Sequence, residues 1–128
     1  MVTLVTNGIK VSVEVFYHTE YSRPDESKYI FAYRITLENI GYQTTQLLRR
    51  HWKIIDSTGD LKEVEGEGVI GVQPILKSGE IHQYVSWCQL TSDMGKMFGT
   101  YMFLNLADNE TFDVNIPEFQ LIATFKSN

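Results

Sequence analysis

An all-β sandwich of two antiparallel sheets, immunoglobulin-like or fibronectin-III-like, is the fold this sequence predicts. Three observations lead there. Apolar residues recur with a period of two nearly throughout the chain, which is the spacing of half-buried strands. Turn-forming residues interrupt that pattern at short, even intervals, as in sandwiches and barrels. Helical periodicity is missing, and the only helical candidate is a turn near Ser92-Asp93-Met94. The whole chain, 1–128, reads as one domain, large enough to bury a core without disulfides or a metal.

The elements follow in order. Ile9, Val11, Val13, Val15 and Tyr17 alternate with Lys10, Ser12, Glu14, Phe16 and His18, which gives a half-buried strand with apolar residues on one face. A polar loop, Glu20 to Ser27, is broken by Pro24. Tyr29, Phe31, Tyr33, Ile35 and Leu37 form a second strand, rich in aromatic and β-branched types. Asn39-Ile40-Gly41 turns the chain, because Asn and Gly tolerate positive φ. Leu47 to Ile55 is a third strand; Asp56 to Asp60 is a hairpin loop and Leu61 to Glu65 the return strand. A glycine-rich stretch, Gly66 to Pro74, comes next, and Pro74 marks an edge or loop exit because it cannot donate to a ladder.

After the Lys77-Ser78-Gly79-Glu80 turn, Ile81 to Leu90 is a strand. Thr91 to Gly95 turns back into Met97 to Leu106, apolar on both faces and so expected at a sheet centre. Asp108-Asn109-Glu110 is a tight turn. Phe112, Val114 and Ile116 alternate up to Pro117, and Phe119, Leu121, Ala123 and Phe125 form a separate last strand. That makes about eight strands by turn spacing. Trp52, Trp87 and the Phe and Tyr residues are expected to fill the core between the sheets.

Composition narrows the function classes. Net charge is −5, from 11 basic and 16 acidic residues. That balance argues against bulk binding to nucleic acid or to an anionic membrane, both of which need a basic face. The single cysteine, Cys88, allows no internal disulfide and suits a reducing compartment. Its apolar neighbours make it a small buried hydrophobe sooner than a nucleophile. No apolar run reaches spanning length and no basic-then-apolar leader opens the chain, so a cytoplasmic location is expected.

Two stretches could carry chemistry. Gly66-Glu67-Gly68-Val69-Ile70-Gly71 spells G-x-G-x-x-G. In dinucleotide enzymes that string opens a helix whose N-terminus faces a pyrophosphate. Here Val72-Gln73-Pro74 follows and no helix can, while Glu65 and Glu67 add negative charge. Two readings stay open for Gly66, Gly68 and Gly71: backbone freedom where the chain leaves a sheet, or exposed amides that cradle a phosphate or a carboxylate.

Arg49-Arg50-His51-Trp52-Lys53 is the second stretch. In a strand, Arg49, His51 and Lys53 share one face, and Arg50 shares the other with Leu48, Trp52 and Ile54. The row Arg49, His51, Lys53 could receive phosphate or an acidic partner. Equally, it could be a solvated face, with Arg50 paired to Glu63 or Glu65 on the return strand. The hairpin would bring this basic row beside the glycine stretch. No metal or catalytic site is legible. His18, His51 and His82 lack ligand spacing, and no nucleophile has a base beside it. The acids Asp56, Asp60, Glu63, Glu65 and Glu67 match no calcium-loop spacing.

The blocks Leu47 to Asp56, Glu63 to Pro74, Gly79-Glu80 and Gly95 to Met102 resemble the ApaG (CorD) family. So do Tyr29 to Tyr33 and Phe112 to Phe119. The Arg50-His51-Trp52 and Gly66 to Pro74 blocks, in this order and spacing, carry most of the likeness, which extends over nearly the whole chain. Val85-Ser86-Trp87-Cys88 departs from the pattern, since the family more often has Ser-Gly after the tyrosine.

The resemblance implies a fibronectin-III-like sandwich, a bacterial cytoplasmic protein and a biochemical role not fully defined. It implies links to cobalt resistance and magnesium transport, and to dinucleoside-polyphosphate hydrolysis by gene neighbourhood. Similar domains in a eukaryotic F-box adaptor and a DNA-polymerase-interacting protein imply an interaction module. The family's proposed pyrophosphate or nucleotide motif maps onto Gly66, Gly68 and Gly71. The expectation is therefore a non-enzymatic binding module with an unidentified protein partner, no cofactor, and a nucleotide or pyrophosphate as the candidate small ligand. Self-association as a homodimer is left open. The competing expectations are an enzyme or accessory protein acting on nucleotide polyphosphates, and a divalent-ion-responsive regulator.

Overall fold

The computed structural model describes residues 1–123 and is a two-sheet β-sandwich. The strands are β1 (Val2–Thr6), β2 (Ile9–Tyr17), β3 (Tyr29–Asn39), β4 (Thr45–Asp56), β5 (Leu61–Glu67), β6 (Ile75–Leu76), β7 (Ile81–Leu90), β8 (Met94–Asn105) and β9 (Glu110–Ile122). One sheet runs β1-β2-β3-β7, the other β5-β4-β8-β9, with β6 also paired to β4. All pairings are antiparallel. Alternation works as expected in β2 and β3: Ile9, Val11, Val13, Phe31, Tyr33, Ile35 and Leu37 are buried. They meet Leu47, Trp52, Met97, Tyr101, Phe103 and Val114 from the other sheet. The β8 strand lies between β4 and β9, so its outer residues Phe98, Met102 and Leu104 are half-covered as well.

Five expectations need correction. First, β1 is an additional strand; its residues are mostly exposed, so it lacks the alternation that marks its neighbours. The signal for it was the Asn7-Gly8 pair, whose φ values of 50° and 81° are those a two-residue hairpin turn demands. Second, the segments on either side of Pro117 are one strand. The register with β8 slips between Met97 and Gly99, where three β9 steps, Phe119 to Ile116, match two on β8. Pro117 stands in that bulge, where a missing N–H costs no ladder bond. Phe125 lies outside the described residues.

Third, β4 carries its own bulge between Leu47 and Arg49. The extra residue inverts the alternation, so Leu47 is buried and Leu48 is not the inward partner of Trp52 and Ile54. Fourth, Trp87 is 52% exposed on the outer face of β7, where His18 packs at 4.4 Å between ring centroids. Only Trp52 is the core indole, edge-on to Tyr33, Tyr101 and Phe119. Fifth, the helical turn among the described residues is a 3-10 turn at Pro24–Glu26, not at Ser92. Proline at the first position of a turn has its φ already set and no orphan N–H to satisfy.

The two flanks of the sandwich differ. On one, Asn7 Nδ2 donates to the Asp113 carbonyl at 2.9 Å, and the Asn115 N–H donates to Thr6 Oγ1, which stitches β1 to β9. On the other, the edges β7 and β5 leave a cleft between the sheets. At one end of that cleft Asp56 accepts from the Thr91 N–H at 2.7 Å, from Thr91 Oγ1 at 2.8 Å and from Ser92 Oγ. At the other lies the glycine loop.

Candidate functional site

The β4 bulge explains how the glycine stretch is held. A bulge frees backbone groups from the ladder, and here the loop takes them up. The Leu48 carbonyl accepts from the Gly68 N–H at 2.8 Å and from Gln73 Nε2 at 3.0 Å. The Leu47 N–H donates to the Pro74 carbonyl at 3.0 Å. Val69 and Val72 exchange a pair of hydrogen bonds at 2.8 and 3.0 Å around Ile70 and Gly71. The φ values of these two, 46° and 76°, meet the requirement of a type I′ reversal. Val69 is completely buried as the plug of the loop, and Ile70 stands 61% exposed at its tip. Gly68 has φ +64°, and a Cβ there would stand 2.3 Å from the Val72 carbonyl oxygen. The motif is therefore a pinned hairpin tip, and its glycines serve backbone geometry first. Three of its amides, on Gly68, Val69 and Val72, are already bonded within the protein, so a full phosphate cradle of the dinucleotide kind is not present.

Arg50 converts this loop into a site. It shares the inward side of β4 with Trp52 and Ile54. Its Nη1 donates to the carbonyls of Glu67 at 3.0 Å and Gly68 at 2.9 Å. Gly66, opposite Arg50 in the β4–β5 register, leaves room for the guanidinium, since a Cβ there would lie 3.0 Å from Nη1 and 3.1 Å from Nη2. Among the described residues no carboxylate lies within ion-pair distance of Arg50, so the expected pairing with Glu63 or Glu65 does not form. Those two glutamates instead flank His51: Glu63 Oε2 is 3.0 Å from Nε2 and Glu65 Oε1 is 3.3 Å from Nδ1.

The guanidinium lines a cavity of about 220 Å³, together with Tyr33, Glu67, Gly71, Tyr84 and Ser86. Tyr84 and Tyr101 share a hydrogen bond of 2.5 Å between their hydroxyls, across the two sheets. Burial pushes both phenols well above their ordinary range, and the pull of Arg50 the other way does not outweigh it. Burial also raises Tyr33, against the opposing hydroxyl of Ser86. The cleft therefore presents a permanent cation and neutral hydroxyls, groups that can receive an oxyanion, with Glu67 at its wall. The volume suits one phosphate or carboxylate group, below the range typical of a drug-sized ligand.

The residues named from the sequence divide between two surfaces. Gly66, Gly68 and Gly71 belong to the loop beside Arg50. Arg49 is exposed on the outer face of the β5-β4-β8-β9 sheet, as are His51 and Lys53 in part. The basic row and the glycine loop are neighbours by register, Arg49 facing Glu67 and Arg50 facing Gly66, but the sheet separates them. His51 and Lys53 instead border a shallow outer hollow of about 430 Å³ over Gly99. Tyr33, Tyr84 and Ser86 were not singled out in the sequence; their only signal was an inward position in strands near Arg50. Cys88 is buried, and burial pushes its thiol up to about 11, which suits a packing role. Among the described residues, no group of three or more His, Cys, Asp or Glu could hold a metal ion, and no helix is long and apolar enough to cross a membrane.

This architecture has close parallels. The model of the ApaG domain matches residues 19–105. A protein named ApaG from Brucella canis is 43% identical over 121 residues, 94% of this chain and 92% of that protein. The ApaG protein of Brucella anthropi is 45% identical over the same shares. Among solved structures, a Bordetella pertussis protein described as ApaA superposes with a TM-score of 0.87 at 39% identity, covering 89% of this chain and 92% of that one. With the match spanning both sheets and the pinned glycine hairpin between them, the chain belongs to the ApaG domain family.

Proposed function

We propose that this protein is a recognition module without bond-making chemistry, and that the Arg50 cleft captures one anionic group of a larger partner. A single observation carries the reading: a guanidinium at the sheet-to-sheet cleft, held by two loop carbonyls, with no carboxylate within ion-pair distance among the described residues. The guanidinium is half-buried and two carbonyls take only its Nη1, so further N–H donors remain for a bidentate oxyanion. Phosphate and carboxylate share this chemistry. The nucleotide-polyphosphate reading is weaker, because the loop amides it would use are largely bonded already. The divalent-ion reading is weaker too: Asp56 is spent on Thr91 and Ser92, and Glu63 and Glu65 on His51.

Amide shifts of the full chain, titrated with acetate, inorganic phosphate and pyrophosphate, test this reading. The expected result is movement of the Ile70 and Gly71 amides and the Arg50 side chain, lost in Arg50→Gln. Shifts confined to Arg49, His51 and Lys53, or unchanged in Arg50→Gln, would transfer binding to the outer face and sink the cleft.

A further inference from the structure

Among the described residues the sandwich has five outer strands, counting the two-residue β6, and four are guarded against pairing with another chain. Natural sheets protect edges with charges, proline, bulges, brevity or a cover. The β5 strand carries Lys62, Glu63, Glu65 and Glu67. The β9 strand has Pro117 and its bulge. The β1 strand is five residues long and is tied to β9. The β7 strand, Ile-His-Gln-Tyr-Val-Ser-Trp-Cys-Gln-Leu, has no Lys, Arg, Asp, Glu or proline, no bulge against β3 and no shortness to guard it. It is ten residues long and pairs with β3 in unbroken register from Ile81 to Leu90. Its other side carries no strand among the described residues.

The open side of β7 is also one wall of the Arg50 cleft. Tyr84 and Ser86 point inward and line the cavity with Arg50. Val85 and Trp87 point outward and are 49% and 52% exposed. A strand added beside β7 would place its residues on alternate faces in the same way. The residue opposite Ser86 would face the guanidinium. Its two neighbours, opposite Val85 and Trp87, would lie on apolar and aromatic surface.

From this geometry we propose that the free edge of β7 binds an extended segment of a partner protein, with an acidic residue flanked on both sides by apolar ones. The segment adds a strand to the β1-β2-β3-β7 sheet, and its carboxylate enters the cleft to pair with Arg50. The inference rests on the anion-capturing reading of that cleft and names the partner's chemistry. A second copy of the chain is the poorer occupant, because its β7 offers no acidic residue to Arg50. Main-chain bonds along the edge give affinity, and the alternate side chains give specificity.

The test uses the full chain and two synthetic heptapeptides, acetyl-Lys-Thr-Val-Glu-Val-Thr-Lys-amide and its Glu-to-Gln counterpart. The expected result is amide shifts along Ile81–Leu90 and a change in Trp87 emission, with the Gln peptide weaker by about tenfold or more, the worth of a charged hydrogen bond. Arg50→Gln should erase the difference between the peptides, and N-methylation of the peptide amides facing β7 should abolish binding. Equal affinity of the two peptides for the wild type, which needs no variant to fold, would overturn the proposal. So would shifts away from β7, or β7 shifts that grow with protein concentration in the absence of peptide and so mark self-pairing. Acetate or phosphate binding at Arg50 without peptide binding would remove the added strand and leave the anion site standing. Failure of every probe would remove both.

Discussion

At the scale of single residues, the three motif glycines do different work, and their substitutions should separate. Gly68 combines positive φ with a Cβ position 2.3 Å from a backbone oxygen. Gly68→Ala is expected to destabilise by about 1–3 kcal/mol through backbone strain, read as a lower midpoint in urea unfolding. Gly66 has ordinary backbone, and its Cβ would meet only the flexible end of Arg50. Gly66→Ala should therefore cost little stability while displacing the guanidinium and weakening anion binding. Equal loss of stability in the two variants would contradict this division of roles. Arg50 shows what was legible here and what was not. Strand parity placed it inward with Trp52, but its partner depends on where two carbonyls of a distant loop come to rest, and no local pattern encodes that.

At the scale of elements, Asp56 ties the β4–β5 hairpin to the β7–β8 turn, joining the sheets at one end of the open flank. Burial alone would raise its carboxyl, but hydrogen bonds from Ser92 and Thr91 outweigh that and hold it below the usual carboxylate range. A carboxyl lowered in the folded state contributes stability that is present above its unfolded value, about 3.9, and lost as pH falls through the folded value. Asp56→Asn should therefore lower the melting temperature at pH 7, by an amount corresponding to about 1–3 kcal/mol. The gap between variant and wild type should narrow as pH falls below about 4. A gap that is constant across that range would show that lost packing, not charge, is responsible. The elements themselves were largely readable, because period two survives in β2, β3 and β7. It failed at two places for one physical reason: a bulge on β4 and another on β9 each reverse the facing of every residue beyond them. Pro117 looked like a terminus and is instead the residue that a bulge can accept.

At the scale of the whole molecule, the alternation and turn chemistry conveyed a two-sheet sandwich, and the blocks around Trp52 and Gly66 conveyed the family. The cleft was not legible, because it is made by β3, β4, β7 and a loop that meet only in the finished sandwich. The exposed indole of Trp87 escaped for a related reason, since an outward position on an edge strand is defined by sheet order, which periodicity does not give.

The seam between β1 and β9 also bears on how the protein is made. The first strand's lateral contacts with its facing sheet come from the last, through Asn7 to Asp113 and Thr6 to Asn115. The β8 strand likewise needs β9 as a neighbour. On the ribosome, the inner face of the β1-β2-β3-β7 sheet stays partly uncovered until β9 has been translated. Nascent chains halted after β7 should remain protease-sensitive, and resistance should arise in one step once β9 clears the exit tunnel. Resistance already present at β7 would mean that the strands up to β7 form a stable unit without β8 and β9.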